Sequence, residues 1–262
     1  MTATPVTAPA LAAYEATAPV YDPFTSHHRH HVWTEMLEGL LRPHGLRDTG
    51  RMLDVGCGTG KSFVPWQDRG WTVVGCDASP GMLSRAAARA EAGTTTVLAD
   101  ARDLPELGAF DLVAMTDDVA NYLAPEEQAA AFAGVRRNLA PGGLLVLDLN
   151  TVLTFRTFFA ETEVHDGEGC FVVWRGHATR DFQAGDTADA TLDGFLAAGD
   201  GRWERTTALH RQHHHPVDGV TARLQGAGLR VLAVHGADDD CDHGPLDELR
   251  HTKAIVIAER PR

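Results

Sequence analysis

Short apolar runs that end in an acidic residue recur along the first 150 positions of this chain. One run reaches Asp54, and Val73-Val74-Gly75-Cys76 reaches Asp77. Val97-Leu98-Ala99 reaches Asp100, Phe110–Met115 reaches Asp117-Asp118 past Thr116, and Leu144–Leu147 reaches Asp148. Runs this short and this apolar fit strands buried on both faces of a parallel sheet. The intervening stretches fit helices. Ser79-Pro80 opens one of them, with Ser as the N-cap and Pro at the first helical position. Strand and helix in alternation predict a doubly wound, mostly parallel α/β sheet.

The alternation starts after a helix expected over His30–Leu41, whose apolar side would be Val32, Trp33, Met36, Leu37, Leu40 and Leu41. It stops at residue 151. Cys170–Trp174, Ala188–Phe195 and Trp203–Gln212 then read as strands, with a turn marked by Gly199-Asp200-Gly201. That pattern predicts an antiparallel β insertion over the carboxyl edge of the sheet. A helix over Pro216–Ala227 and strands over Arg230–His235 and Lys253–Glu259 would complete a seven-stranded sheet, with Asp238–His243 as a polar loop. The expected organisation is an arm and cap helix over 1–40, a ligand-binding core over 41–150, a β lid over 151–215 and a closing segment over 216–262.

Leu-Asp-Val-Gly-Cys-Gly-Thr-Gly at 53–60 is the most informative octapeptide. Glycines at a strand-to-helix turn let the main chain turn tightly and let a ligand approach it. The spacing of Gly56, Gly58 and Gly60 differs from the dinucleotide fingerprint, which needs a glycine where this chain has Lys61. Ligands of such sheets sit at the carboxyl ends of the strands, and every one of those ends here carries an acid. A pyrophosphate would be repelled there. A ligand with a sulfonium, an ammonium and ribose hydroxyls would be attracted, with Asp77 placed to hold the ribose.

Residues 51–150 resemble the class I S-adenosylmethionine-dependent methyltransferases. LDVGCGTG, VVGCD followed by ASPGML, ADARDLP, FDLVAMTDD and APGGLLVLDLN carry the resemblance in order and spacing. It implies a Rossmann-like methyltransferase sheet and S-adenosylmethionine as cofactor. Gly56, Cys57, Gly58 and Gly60 would line the methionine end beneath Asp54. Asp77 would bind the ribose, and Ala78 and Met82 would pack on the adenine. Asp100 would accept from the adenine amino group beside the Ala101 amide, and Thr116 would close the site next to the sulfonium. Tyr21, in a Tyr-Asp arm, would reach toward the methionine end. The chain is most similar to small-molecule methyltransferases with an inserted β lid. That implies a methyl acceptor of small size, with an O or N nucleophile, in the class of secondary metabolites or amino-sugar-like compounds.

Composition narrows the alternatives. The net charge of −13 gives no general attraction to phosphate backbones, so nucleic acid is not an expected partner. Four scattered cysteines without a C-x-x-C pair fit reduced thiols and a cytoplasmic setting. Residues 1–13 lack a basic start and an apolar core, so they read as a loose arm and not as a signal peptide. No stretch approaches the length of a membrane span. A monomer or homodimer is expected. A protein of the same fold that binds S-adenosylmethionine without transferring methyl, such as a pericyclase or scaffold, is the competing reading. A nicotinamide-dependent oxidoreductase and an RNA or protein methyltransferase are weaker rivals.

Of the 14 histidines, eight cluster at His27-His28-Arg29-His30-His31 and at His210–His215. Their spacing matches no zinc pattern, so no metal is expected. Both clusters flank the expected mouth of the site. His28, His214 and Asp118 are the candidate bases, with Asn121 and Tyr122 as candidate positioning groups.

Overall fold

The computed structural model describes residues 9–262. Its first half follows the expected alternation: helices α1 (Pro9–Thr17), α2 (Tyr21–Phe24) and α3 (His30–Leu41), then β1 (Arg51–Val55), α4 (Val64–Asp68), β2 (Thr72–Asp77), α5 (Pro80–Arg89), β3 (Thr95–Leu98), β4 (Phe110–Met115), α6 (Pro125–Asn138) and β5 (Leu139–Asn150). After α7 (Val152–Arg156) come β6 (Thr162–Gly167), β7 (Cys170–Gly176), β8 (Thr187–Ala197) and β9 (Trp203–His213). The chain closes with α8 (Val217–Gly226), β10 (Arg230–Ala237), β11 (His243–Gly244) and β12 (Lys253–Glu259).

The main sheet runs β11-β10-β12-β5-β4-β1-β2-β3. Strands β5, β4, β1, β2 and β3 are parallel, and β12 lies antiparallel between β5 and β10. These are the seven expected strands, plus the two-residue β11 at one edge. β6 to β9 form a separate antiparallel sheet, which is the expected insertion. Ser79 caps α5 by accepting the Met82 amide, as its position before Pro80 predicts.

Period-two alternation divides the core. Leu145, Leu147 and Leu149 of β5 pack under α6 and α8, while Leu144 and Val146 face α3 and α4. A third cluster joins α1 and α7 to the small sheet through Ala13, Phe155, Phe159 and Trp174.

Three expectations need correction. Residues 1–8 of the expected loose arm lie outside the described residues, but Pro9–Thr17 is a helix. It is fixed at several points: Glu15 accepts from Ser79 Oγ (2.6 Å) and the Gly81 amide (3.0 Å), and Thr206 Oγ1 donates to Ala16 O (2.6 Å). Helix α1 has apolar or small residues nearly all round, so no amphipathic stripe marks it. Val32 is exposed, whereas the rest of the expected apolar side of α3 is buried or half-buried. β6 was not foreseen, because TEVHDG is a polar edge strand whose single aliphatic residue, Val164, faces out. Among the described residues no helix is long and apolar enough to cross a membrane.

Candidate active site

The loop after β1 is built by left-handed glycines. Gly56, Gly58 and Gly60 have φ of +76°, +53° and +85°. A Cβ on Gly56 would meet Val119 Cγ2 at 2.5 Å, so that position is closed to side chains. A Cβ on Gly58 would project into open space, with only Tyr21 Cε1 at 3.9 Å. The loop therefore presents bare main chain to a cavity. The Gly56 and Cys57 amides anchor it by donating to Cys76 O on β2 (2.8 and 3.0 Å).

Asp77, at the end of β2, accepts from the Gly58 amide (2.9 Å) and the Ser79 amide (2.8 Å). Burial raises its pKa, and no lysine or arginine pairs with it. A buried acid with amides for partners and a face on the cavity is suited to hydroxyl donors. Asp100 ends β3 and is held by Arg102, whose Nε and amide both donate to Oδ1 at 2.9 Å; that pairing lowers its pKa.

A first cavity of about 920 Å³ lies over these strand ends. Of the expected cofactor residues, Tyr21, Gly56, Cys57, Gly58, Asp77, Ala78, Asp100 and Ala101 line it. Asp54, Gly60, Met82 and Thr116 do not. Asp54 is buried under the loop, where Ser62 Oγ donates to it (2.6 Å), and burial pushes its pKa up to about 7. Met82 is fully buried, since the first turn of α5 points it into the core and not at the ligand space. Gly60 packs on Phe63, and the wall past β4 begins one residue after Thr116, at Asp117.

That shift comes from an unusual turn. Asp117 and Asp118 both have φ of +57°, a left-handed conformation that costs a non-glycine residue free energy. The fully buried Asp148 carboxylate holds the turn by accepting both amides, at 2.9 and 2.7 Å. Lys253 Nζ stands 3.4 Å from Asp148 and 4.0 Å from Asp118. Burial opposes the lysine's charge, but Asp148, Asp118 and Asp117 outweigh it and raise its pKa. The turn aims Asp117 at the first cavity and Asp118 into a second.

The second cavity, about 1600 Å³, lies between the main sheet and the β6–β9 sheet. Phe24, Trp174 and Phe158 make an aromatic wall; Trp174 stacks on Phe24 at 5.8 Å and on Phe158 at 4.7 Å. Asp118 lines this cavity. It accepts from Asn150 Nδ2 (3.0 Å) and from Gln212 Nε2, and burial pushes its pKa up to about 6 against the pull of Lys253. His28 also lines it, exposed at its mouth; the protein packed around the imidazole, with His27 and His30 beside it, lowers its pKa.

Five residues line both cavities: Tyr14, Tyr21, His30, Asp117 and Tyr122. All three tyrosines of the chain are therefore at the junction. Burial raises the pKa of each, so each keeps its proton. Tyr122 Oη is 3.0 Å from His210 Nδ1, and Thr17 Oγ1 is 3.1 Å from His210 Nε2.

His214, a candidate base, lines neither cavity. It is 2% exposed, Gly185 N–H donates to its Nδ1 (3.0 Å), and Nε2 stands 2.7 Å from Glu248. Both ring nitrogens are thus occupied in joining the β8 entry loop to the β11–β12 connection. Asn121 likewise serves structure, accepting from the Asn150 amide and donating to His213 O (both 2.9 Å). Tyr14, Gln212 and Lys253 are not marked as site residues by the sequence, whereas Asp117 stands among the strand-end acids and His30 in the cluster expected at the mouth.

A sheet of this order, with a glycine loop and acidic strand ends opening on one cavity, defines the class I methyltransferase fold. Known proteins agree. Residues 52–143 match the family model described as a methyltransferase domain. The cypemycin N-terminal methyltransferase of Streptomyces sp is 35% identical over 225 residues, covering 83% of this chain and 86% of that protein. An S-adenosylmethionine-dependent methyltransferase from Clostridium acetobutylicum ATCC 824 superposes with a TM-score of 0.74 at 17% identity, over 95% of this chain and 99% of that one. The sugar N-methyltransferase KedS8 from Streptoalloteichus sp ATCC 53650 gives 0.69 at 24% identity, over 93% of each. The chain belongs to the S-adenosylmethionine-dependent methyltransferases and is an enzyme of that class.

Proposed function

We propose that the enzyme methylates an amine nitrogen of a small molecule held in the second cavity. The carrying observation is the charge of that cavity. Asp117, Asp118, Glu161, Glu163 and Asp239 line it, against Arg29 and Lys253. Both cations are already engaged: Arg29 bonds Asp240 and Asp239 O, and Lys253 faces Asp148 and Asp118. Such a wall favours a positively charged acceptor and disfavours phosphate or carboxylate. The aromatic wall supplies an apolar face for a ring. The similarity to a sugar N-methyltransferase and to a peptide N-terminal methyltransferase supports the same reading.

In this assignment the first cavity holds S-adenosylmethionine. The bound cofactor supplies a methyl group already activated by its sulfonium. Asp77 takes the ribose hydroxyls, Ala78 lies along the adenine, and the Ala101 amide and Asp100 face its edge. The bare main chain of Gly56, Cys57 and Gly58 receives the methionine end beside Tyr21. The three protonated tyrosines enclose the junction and exclude water, which favours an in-line approach of nucleophile and methyl. An ammonium must lose a proton before it can attack. Asp118 is the group we assign to take it, because it faces the second cavity beside the junction and burial pushes its pKa up to about 6. His28, with its pKa lowered, is a poor base at neutral pH.

S-adenosylhomocysteine release from a panel of amino sugars, free amino acids and matching amine-free alcohols tests this. Turnover confined to amines is expected, and Asp118→Asn should lower it by about 100-fold. Turnover confined to the alcohols would sink the amine assignment. Failure of the whole panel with the cofactor bound would favour the binder without transfer.

A further inference from the structure

His30 begins α3, His28 lies two residues before it, and Asp117 is carried by the left-handed turn after β4. No local sequence spacing joins these three, yet the fold brings one donor atom of each within 4.8 Å of the others. His30 Nδ1 is 3.9 Å from Asp117 Oδ2, and the His28 and His30 rings are 5.7 Å apart, inclined at 58°. Ligands bound to one ion at about 2.1 Å stand about 3 to 4 Å apart, so closing the set needs movements well under an ångström per donor.

We propose that His28, His30 and Asp117 form a binding site for one divalent transition-metal ion, at the junction of the two cavities. Two imidazoles and one carboxylate suit Zn²⁺, Fe²⁺, Co²⁺ or Ni²⁺, and not Mg²⁺ or Ca²⁺, which prefer oxygen donors throughout. Two further observations support the site. None of the ring nitrogens of His28 or His30 makes a hydrogen bond to a described residue, whereas those of His210 and His214 are fully engaged. Asp117 is held out by a strained turn that the buried Asp148 clamps, so its carboxylate is presented and not merely placed.

Three protein donors leave coordination positions open toward the second cavity. An ion there would take an oxygen of the acceptor, such as a hydroxyl beside its amine, and fix its orientation at the junction. Asp118, Glu161 and Glu163 remain for the ammonium. The metal site stands on donor geometry alone; its role with the acceptor rests on the amine reading.

The test uses untagged, chelator-treated full-length protein without cofactor, so its failure is separate from failure of the methyltransferase assignment. Titration with CoCl₂, followed by visible d–d absorption, and calorimetry with ZnCl₂ should show one ion per chain. His28→Ala and Asp117→Asn should each weaken binding at least about tenfold. His177→Ala, just after β7 and beside Thr191 of β8, should leave it unchanged. X-ray absorption of the wild-type complex should count two imidazoles, which keeps the test valid if a variant fails to fold. No binding, binding indifferent to His28 and Asp117, or fewer than two imidazoles would overturn the site.

Discussion

The first cavity is made from consecutive strand ends covered by the N-terminal helices, while the second is assembled from segments far apart in the chain. From Gly56 to Leu123 the wall of the first follows chain order, each piece set by its own strand and turn. The second takes residues from the α2–α3 region, the turn after β4, the end of β5, the lid strands and the start of β12. A wall made of local pieces tolerates little change, because each piece also closes a turn of the core. A wall made of distant pieces can be altered one piece at a time while the sheet persists. The comparison suggests why a fixed cofactor and a variable acceptor can share one fold.

The Asp148 clamp holds the turn that serves both cavities. Asp148→Ala leaves Lys253 without its nearest carboxylate and two buried amides without an acceptor. Loss of one partner of a buried ion pair costs about 3–5 kcal/mol, so chemical denaturation should show a fall of that size. An unchanged midpoint would mean that the turn holds itself.

Trp174→Ala separates the cavities instead. Trp174 is 3% exposed, stacks on two phenylalanines and donates to Phe158 O at 3.0 Å. Its removal should cost about 3 kcal/mol and open the second cavity. S-adenosylhomocysteine affinity should stay within about twofold, since Trp174 does not line the first cavity. A large loss of affinity would show that the lid and the first cavity are not separable.

The smallest expected effect is a pH dependence of the core. The folded protein raises Asp54 from its ordinary value to about 7 through burial. The folded state then binds the proton more tightly than the unfolded chain, so the stability from this group is complete below about pH 4 and is lost as pH rises toward 7. Asp118 and Asp148 are raised with the same sign. Burial lowers the pKa of His210 and His215 and opposes this over the same range, so the difference is the readout: the melting temperature of the wild type minus that of Asp54→Asn should fall from pH 4 to 8. An identical slope in the variant would remove Asp54 from this account.

The same contrast explains what could be read beforehand. The strands of the main sheet are continuous apolar runs with acids at their ends, and helix α3 matches its predicted span of His30–Leu41. These signals are local. The partners of His214 are not: Gly185 and Glu248 lie 29 and 34 residues away, and only the fold reveals that they occupy both its nitrogens. Asp117 looked like a neighbour of Asp118, and the clamp that gives it a separate direction comes from β5. Helix α1 carries Tyr14 to the junction without an amphipathic pattern to announce it.

Calorimetric titration with S-adenosylmethionine, for the wild type and Asp77→Ala, tests the central assignment most directly. Two ribose hydrogen bonds to a buried carboxylate predict a loss of about 3 kcal/mol, or roughly 100-fold in affinity, in a variant that still melts cooperatively. Equal binding by both proteins would place the cofactor elsewhere and contradict the account of the first cavity.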